Sequence, residues 1–200
     1  MTVDIEPLTE YCEFGEDRVY LLLVIARAKE NEETSHNDVP TIRTVVEDAA
    51  GLERAIEELD HATRRFDERF RLYLTANARD ALAATFVLRS RMDDWLEGRI
   101  HGDDGISAKF KRVDSEFKSV LQSDRCGTDS NFIFDLDDAS ATEAEQLQAD
   151  LAPHTTIEMV RETPNGYHVV TAPFNYTELS TPVEYEHKTD GLVFLSYLGE

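Results

Sequence analysis

Cysteine is nearly missing from this chain: Cys12 and Cys126 are its only two. They have no C-x-x-C spacing, which argues against a disulfide framework and against a zinc site of the usual kind, and both are expected to be free thiols. Lysine is scarce as well, with five Lys beside fifteen Arg. No apolar run approaches the length of a membrane span, since the longest, VYLLLVIA at residues 19–26, is strand-sized. The opening MTVDIEPLTE is too acidic for a signal peptide. A soluble, cytoplasmic protein with no membrane partner is therefore expected. Internal repeats and low-complexity segments are also lacking.

Negative charge is what the chain has in excess: 41 acidic residues against 20 basic ones give a net charge of −21. Such an excess ordinarily repels nucleic acid. Here the acids are spread along the whole chain and Arg outnumbers Lys, a pattern that fits a salt-adapted, halophilic surface kept hydrated in molar salt. At that ionic strength the Debye length is ~3 Å, so long-range repulsion is screened and local contacts decide which partners bind. The melting temperature is expected to rise as KCl is raised from dilute to molar; a midpoint indifferent to KCl over that range would count against the halophilic reading.

With 200 residues, 41% of them hydrophobic, the chain suits a single domain with a substantial core. Residues 19–26 read as a buried strand, followed by the polar loop KENEETSHNDVP. From Thr41, the apolar stripe Ile42, Val45, Ala49, Leu52, Ile56 and Leu59 has the spacing of an amphipathic helix. RFRLYLTAN at 69–77 reads as a strand, and Asp80 as the cap of a helix that Gly98 ends. Ile106, Phe110, Val113, Phe117 and Val120 mark a further helix. NFIFDLD at 131–137 is a strand, ATEAEQLQADL a helix, and Asp138 a possible cap. Asn165-Gly166 between two β-type runs signals a hairpin with a type I′ turn, which would set His168 at the shoulder of the second strand. Thr189-Asp190-Gly191, between VEYEHK and LVFLSYL, signals a second hairpin. The fold class is α+β with a mixed or mainly antiparallel sheet: one domain over 1–200, helix-rich over 1–129 and sheet-rich over 130–200.

Asp135 and Asp137 form a D-x-D in which strand alternation points both carboxylates to one face. With 19 Asp in the chain, chance alone gives roughly two such triplets. The setting, a hydrophobic strand ending in two acids, is what carries information. Two like charges aimed together call for a cation between them, and Mg²⁺ or Mn²⁺ prefers oxygen ligands. The alternative is a solvated strand end.

Taken with TPNGYH at 163–168, the D-x-D resembles the motif set of the archaeo-eukaryotic primase (primase-polymerase) superfamily: a strand-borne hhhDhD, then a hairpin bearing a Ser-Gly-Arg-Gly-x-His-like motif, then a late acidic residue. FIFDLD supplies Asp135 and Asp137. In TPNGYH, Thr163 takes the hydroxyl position, Gly166 the glycine position and His168 the histidine position. Pro164 and Asn165 depart from the pattern and remove a basic residue that could touch phosphate. Asp190 in EHKTDGLVFL is the best match for the third acid. The motifs cover residues 130–195, with only strand and helix order matching upstream. A fuller pattern, T-P-N-G-[YW]-H-x-[IV]-T-x-P-F-N with a late K-x-D-G that includes Lys188, is similar to phage-type proteins and points to a haloarchaeal virus or plasmid relative.

The resemblance implies an RRM-like catalytic half and metal-dependent nucleotidyl transfer from nucleoside triphosphates beside a nucleic-acid template. Asp135, Asp137 and Asp190 would hold Mg²⁺ or Mn²⁺. His168, with Thr163, Asn165, Gly166 and Lys188, would bind the nucleotide. Phosphoryl transfer asks mainly for positioning and charge neutralisation, which suits such a set. Arg27, Lys29, Arg69, Arg71 and Arg79, near strand ends, are candidates to touch nucleic acid, with ordinary solvation as the alternative. Two other readings stand beside this one. One is a catalytically inactive nucleotide- or nucleic-acid-binding member of the same fold. The other starts from FDLDD, which resembles the first motif of haloacid dehalogenase-type phosphatases; those enzymes need a Rossmann-like unit after the motif, and too little chain follows Asp137 to build one.

Overall fold

The computed structural model describes residues 3–27, 30–31 and 41–199, among which the short helix α1 (Glu6–Tyr11) comes first. The stretch VYLLLVIA lies in β1 (Arg18–Ala26), which pairs antiparallel with β2 (Thr41–Val46) on one side and β3 (Phe70–Thr75) on the other. β3 pairs in turn with β9 (Leu192–Leu198), and the two-residue β4 (Arg79–Asp80) pairs with the start of β1. β1 is apolar without alternation because both of its faces are covered. Leu22 and Val24 share a core with Leu52, Ala55, Ile56 and Leu59 of α2 (Ala49–Thr63). Val19, Leu21 and Leu23 share another with Ala84 of α3 (Ala81–Ile100) and with Val120 and Leu121 of α5 (Val113–Leu121).

Three local expectations are corrected here. Residues 41–46 are strand, and the helix starts only at Ala49, where Asp48 Oδ1 accepts the Gly51 N–H at 2.6 Å. The β-branched run Ile42, Thr44, Val45, Val46 satisfies its backbone along β1, so strand pairing overrides the helical spacing of its apolar residues. Asp80 does cap α3, accepting the Ala83 N–H at 2.7 Å, but the helix runs through Gly98 to Ile100. A Cβ at Gly98 would lie 2.4 Å from Ile106 Cδ1, so this glycine serves packing. Finally, the helix expected from Ile106 is interrupted at Lys111 and Arg112, leaving α4 (Ser107–Phe110) and α5.

A second sheet has the order β6 (Ile157–Thr163), β7 (Gly166–Thr171), β5 (Phe132–Asp137), β8 (Glu186–Lys188). Strand alternation divides its faces. Phe134, Leu136 and Val169 pack on Ala144, Leu147 and Leu151 of α6 (Ala141–Leu151), while Ile133, Met159 and Val170 join the core around β1, β3 and α2. The cap of α6 is Ser140, in a reciprocal box with Glu143, and not Asp138. Asp138 has φ 54° and donates its N–H to the Asn165 carbonyl at 2.5 Å.

The hairpin at TPNGYH forms, but with Pro164 and Asn165 as its central residues and Gly166 already in β7. Among the described non-glycine residues only Asp138 has positive φ, so Asn165 lacks the type I′ conformation. Proline, whose ring holds φ near −65°, imposes this turn. The hairpin expected around Thr189-Asp190-Gly191 does not form: β8 pairs with β5 in the second sheet and β9 with β3 in the first. The class is α+β, with every strand pair among the described residues antiparallel. That pairing leaves no parallel, doubly wound unit around β5, and the phosphatase reading falls with it. No helix among the described residues is long and apolar enough to cross a membrane.

Candidate functional site

Antiparallel register sets Asp135 of β5 directly opposite His168 of β7, with Asp137 opposite Gly166. Ile133 pairs with Lys188 of β8, which brings the lysine diagonally beside Asp135 on the same face. His168 is buried, and its two ring nitrogens do different work. Nδ1 accepts the backbone N–H of Phe194 at 3.3 Å, on the side of β9 that β3 does not pair. That bond leaves the proton on Nε2, which faces Asp135 Oδ1 at 3.3 Å. The other carboxylate oxygen, Oδ2, accepts from Lys188 Nζ at 2.6 Å, and Lys188 also lies 2.9 Å from Glu186 Oε2.

The charges respond as this geometry requires. The Asp135 carboxyl is lowered to about 2, first by the hydrogen bond from His168 and then by Lys188, against the opposing effect of burial. Burial pulls the Lys188 ammonium down, but Asp135 and Glu186 outweigh it and hold it above its ordinary value.

Asp135, His168 and Lys188 line a cleft of about 330 Å³ between the two sheets, together with Asp137, Thr163 and Asn165. Ile25, Arg27, Arg71, Tyr73 and Phe194 line it from the first sheet. Arg71, almost wholly buried, forks onto both carboxylate oxygens of Glu30, which also accepts from Tyr197 Oη at 3.1 Å. The Glu30 carboxyl feels burial upward, yet Arg71 brings it below its usual range. Arg27, at the end of β1, is exposed. Asp137 is exposed, and its carboxylate has no hydrogen-bond or ion-pair partner among the described residues.

Gly166 lies beneath this constellation. A Cβ there would fall 1.9 Å from the Leu136 carbonyl oxygen, so the glycine is what lets the hairpin close against the end of β5 and hold Asp137 and Asn165 together.

Asp190 is placed elsewhere, which corrects its reading as a third metal ligand. Both of its oxygens are taken by Arg79, at 2.7 and 2.9 Å, and Oδ1 also receives Asn77 Nδ2 at 3.2 Å and its neighbour's Gly191 N–H at 2.9 Å. It borders a separate concavity with Asp124 and Asp129. Arg79 is buried in this pair and cannot reach nucleic acid. Arg69 stacks over the Tyr197 ring at 3.6 Å, and Lys29 lies outside the described residues.

Asp135 and Asp137 are therefore the carboxylates that could hold a cation. Among the described residues no group of three or more His, Cys, Asp or Glu side chains is arranged around one. Mg²⁺ sites on nucleotides often use one or two carboxylates, with phosphates and waters completing the shell, and a two-carboxylate strand end suits that pattern. Sequence reasoning offered Arg71 only as a candidate nucleic-acid contact and missed the first-sheet wall that it forms with Tyr73 and Phe194. These residues come to the cleft from strands far away in the chain, and only the strand pairing of β1, β3 and β9 reveals them.

No protein-family model, curated protein or solved structure matches the chain.

Proposed function

We propose that the cleft binds a nucleoside triphosphate and carries metal-dependent nucleotidyl transfer of primase-polymerase type, with the second sheet and α6 as an RRM-like catalytic half and a nucleic-acid strand as the partner. The observation that carries this reading is the convergence of Asp135, Asp137, His168, Lys188, Thr163 and Asn165 in one cleft, with Arg27 and Arg71 on the facing wall. Asp135 and Asp137 would be the oxygen donors for Mg²⁺ or Mn²⁺, which supplies charge neutralisation at the phosphates. Lys188, which pairs with Asp135, would turn its ammonium to phosphate oxygens if the Asp135 carboxylate were engaged by such a cation. His168 Nε2–H, fixed by the bond at Nδ1, is a directed donor beside it, and Thr163 and Asn165 offer neutral donors from the hairpin. Arg27, exposed at the rim, would be the group that meets a polyanionic strand.

One observation favours a second reading, a nucleotide-binding protein without catalysis: Asp135 is already neutralised by Lys188 and His168, and Asp190 is committed to Arg79. Two measurements on wild type, Asp137→Asn and Lys188→Ala in molar KCl with Mn²⁺ separate the readings. Calorimetry reads triphosphate binding, and incorporation of labelled ribo- and deoxyribonucleotides on single-stranded and primed templates reads transfer. Transfer predicts incorporation by the wild type, its loss in Asp137→Asn with an unchanged melting temperature, and binding weakened about tenfold in Lys188→Ala, which removes one charge-assisted contact. Binding without incorporation selects the second reading. A wild type that neither binds triphosphate nor incorporates nucleotide removes both.

A further inference from the structure

The helix α3 presents an apolar stripe to solvent on the side opposite its packed face. Leu82, Phe86, Leu96 and Ile100 are exposed by 50, 62, 52 and 83%, whereas Ala84 and Trp95 on the inner side are buried. Residues 82, 86, 89, 93, 96 and 100 follow one another at alternating steps of four and three, the spacing of a coiled-coil seam. At the middle of that seam stand Arg89 and Asp93, both exposed and neither with an ion-pair partner among the described residues. Six residues on one straight line of a 20-residue helix form a surface ~30 Å long.

Read in reverse, the four apolar positions stay apolar and the two central charges exchange sign, so the stripe is complementary to its own reverse. Laid antiparallel on a second copy about a two-fold axis near residue 91, Leu82 meets Ile100, Phe86 meets Leu96, and Arg89 meets Asp93, each pairing occurring twice. A parallel arrangement instead sets Arg89 against Arg89 and Asp93 against Asp93, at a cost that opposite charges would have avoided. We propose that the outer face of α3 is a self-association surface, on which two copies of this chain pair their α3 helices antiparallel with two reciprocal Arg89–Asp93 ion pairs at the centre. The pairing is isologous, so the same patch serves both protomers and the assembly closes at two. The apolar residues supply the attraction, and the central ion pairs set orientation and register. Because each protomer carries a net charge of −21, dilute buffer opposes the association and salt screens that repulsion.

Sedimentation equilibrium and light scattering in about 1 M KCl, where the Debye length is ~3 Å, read the assembly against the 22.7 kDa chain mass. The wild type is expected to reach twice that mass at tens of micromolar, as suits an interface at the small end of the specific range. Phe86→Glu is expected to leave a monomer. Arg89→Glu faces each Asp93 with a like charge and should weaken dimerisation at least tenfold, while Arg89→Glu with Asp93→Arg restores opposite pairing and the dimer. All three positions are exposed, and circular dichroism confirms that each variant folds. A wild type that stays monomeric at high concentration and high salt overturns the proposal. So does a dimer indifferent to Phe86→Glu, or a double charge swap that fails to rescue Arg89→Glu.

Discussion

Asp190→Ala is expected to unfold the protein at a temperature about 10 °C lower than the wild type, a loss of about 3–5 kcal/mol for removing one partner of a buried ion pair. The Arg79 side chain is 2% exposed, its guanidinium is held bidentately by Asp190, and it sits where Asn77 also contacts the Asn131 and Thr189 carbonyls. Stripped of Asp190, it is a buried charge with nothing to neutralise it. Arg79→Met, which removes the charge and keeps much of the volume, should be the milder change of the two, and the double variant milder than Asp190→Ala alone. Thermal and urea unfolding in molar salt check this. A metal ligand would behave in the opposite way, with Asp190→Ala keeping its midpoint and losing only cation or nucleotide affinity, and that result would return Asp190 to the catalytic set.

Gly166→Ala should cost about 3 kcal/mol, at the upper end for overpacking, because the obstruction is main chain. The added carbon would stand 1.9 Å from the Leu136 oxygen and 3.0 Å from its carbonyl carbon. Neither strand can yield freely: Asp137 and Gly166 are register partners, and the Asp138 N–H is bonded to Asn165. Relief requires the tip of the hairpin to lift from β5, which moves Thr163 and Asn165 away from Asp137, so affinity for a triphosphate should fall together with stability. Asn165→Ala, at an exposed turn position with no such contact, is expected to change stability by no more than about 0.5 kcal/mol. Urea midpoints of the two variants give the comparison, and a Gly166→Ala protein as stable as Asn165→Ala would show that the turn relaxes.

The half of the site on residues 131–171 was legible because period-two patterning and turn chemistry are local. FIFDLD alternates, so Phe134 and Leu136 had to oppose Asp135 and Asp137, and one proline-asparagine turn suffices to bring His168 across from Asp135. Turn type was the weak point: Asn-Gly suggested positive φ at Asn165, but Pro164 claimed the first central position. Residues 41–46 failed differently, since their apolar spacing fits both periods and only the neighbouring β1 chooses between them. Asp190 failed because its fate depends on Arg79, separated from it by 111 positions. Motif order says nothing about which buried cation a carboxylate will find.

The path of β9 has a consequence for how the molecule is built over time. The first sheet is assembled from strands in the opening part of the chain, yet β3 has no partner on its outer side until the last strand arrives, across a separation of roughly 120 residues. A nascent chain that has emerged through α5 would thus carry an exposed, apolar sheet edge and an unfilled place in its core, and it must wait through the synthesis of the entire second sheet. Such a delay favours slow, cooperative closure over stepwise assembly and makes the half-made chain a natural client for chaperones that shield unpaired strands.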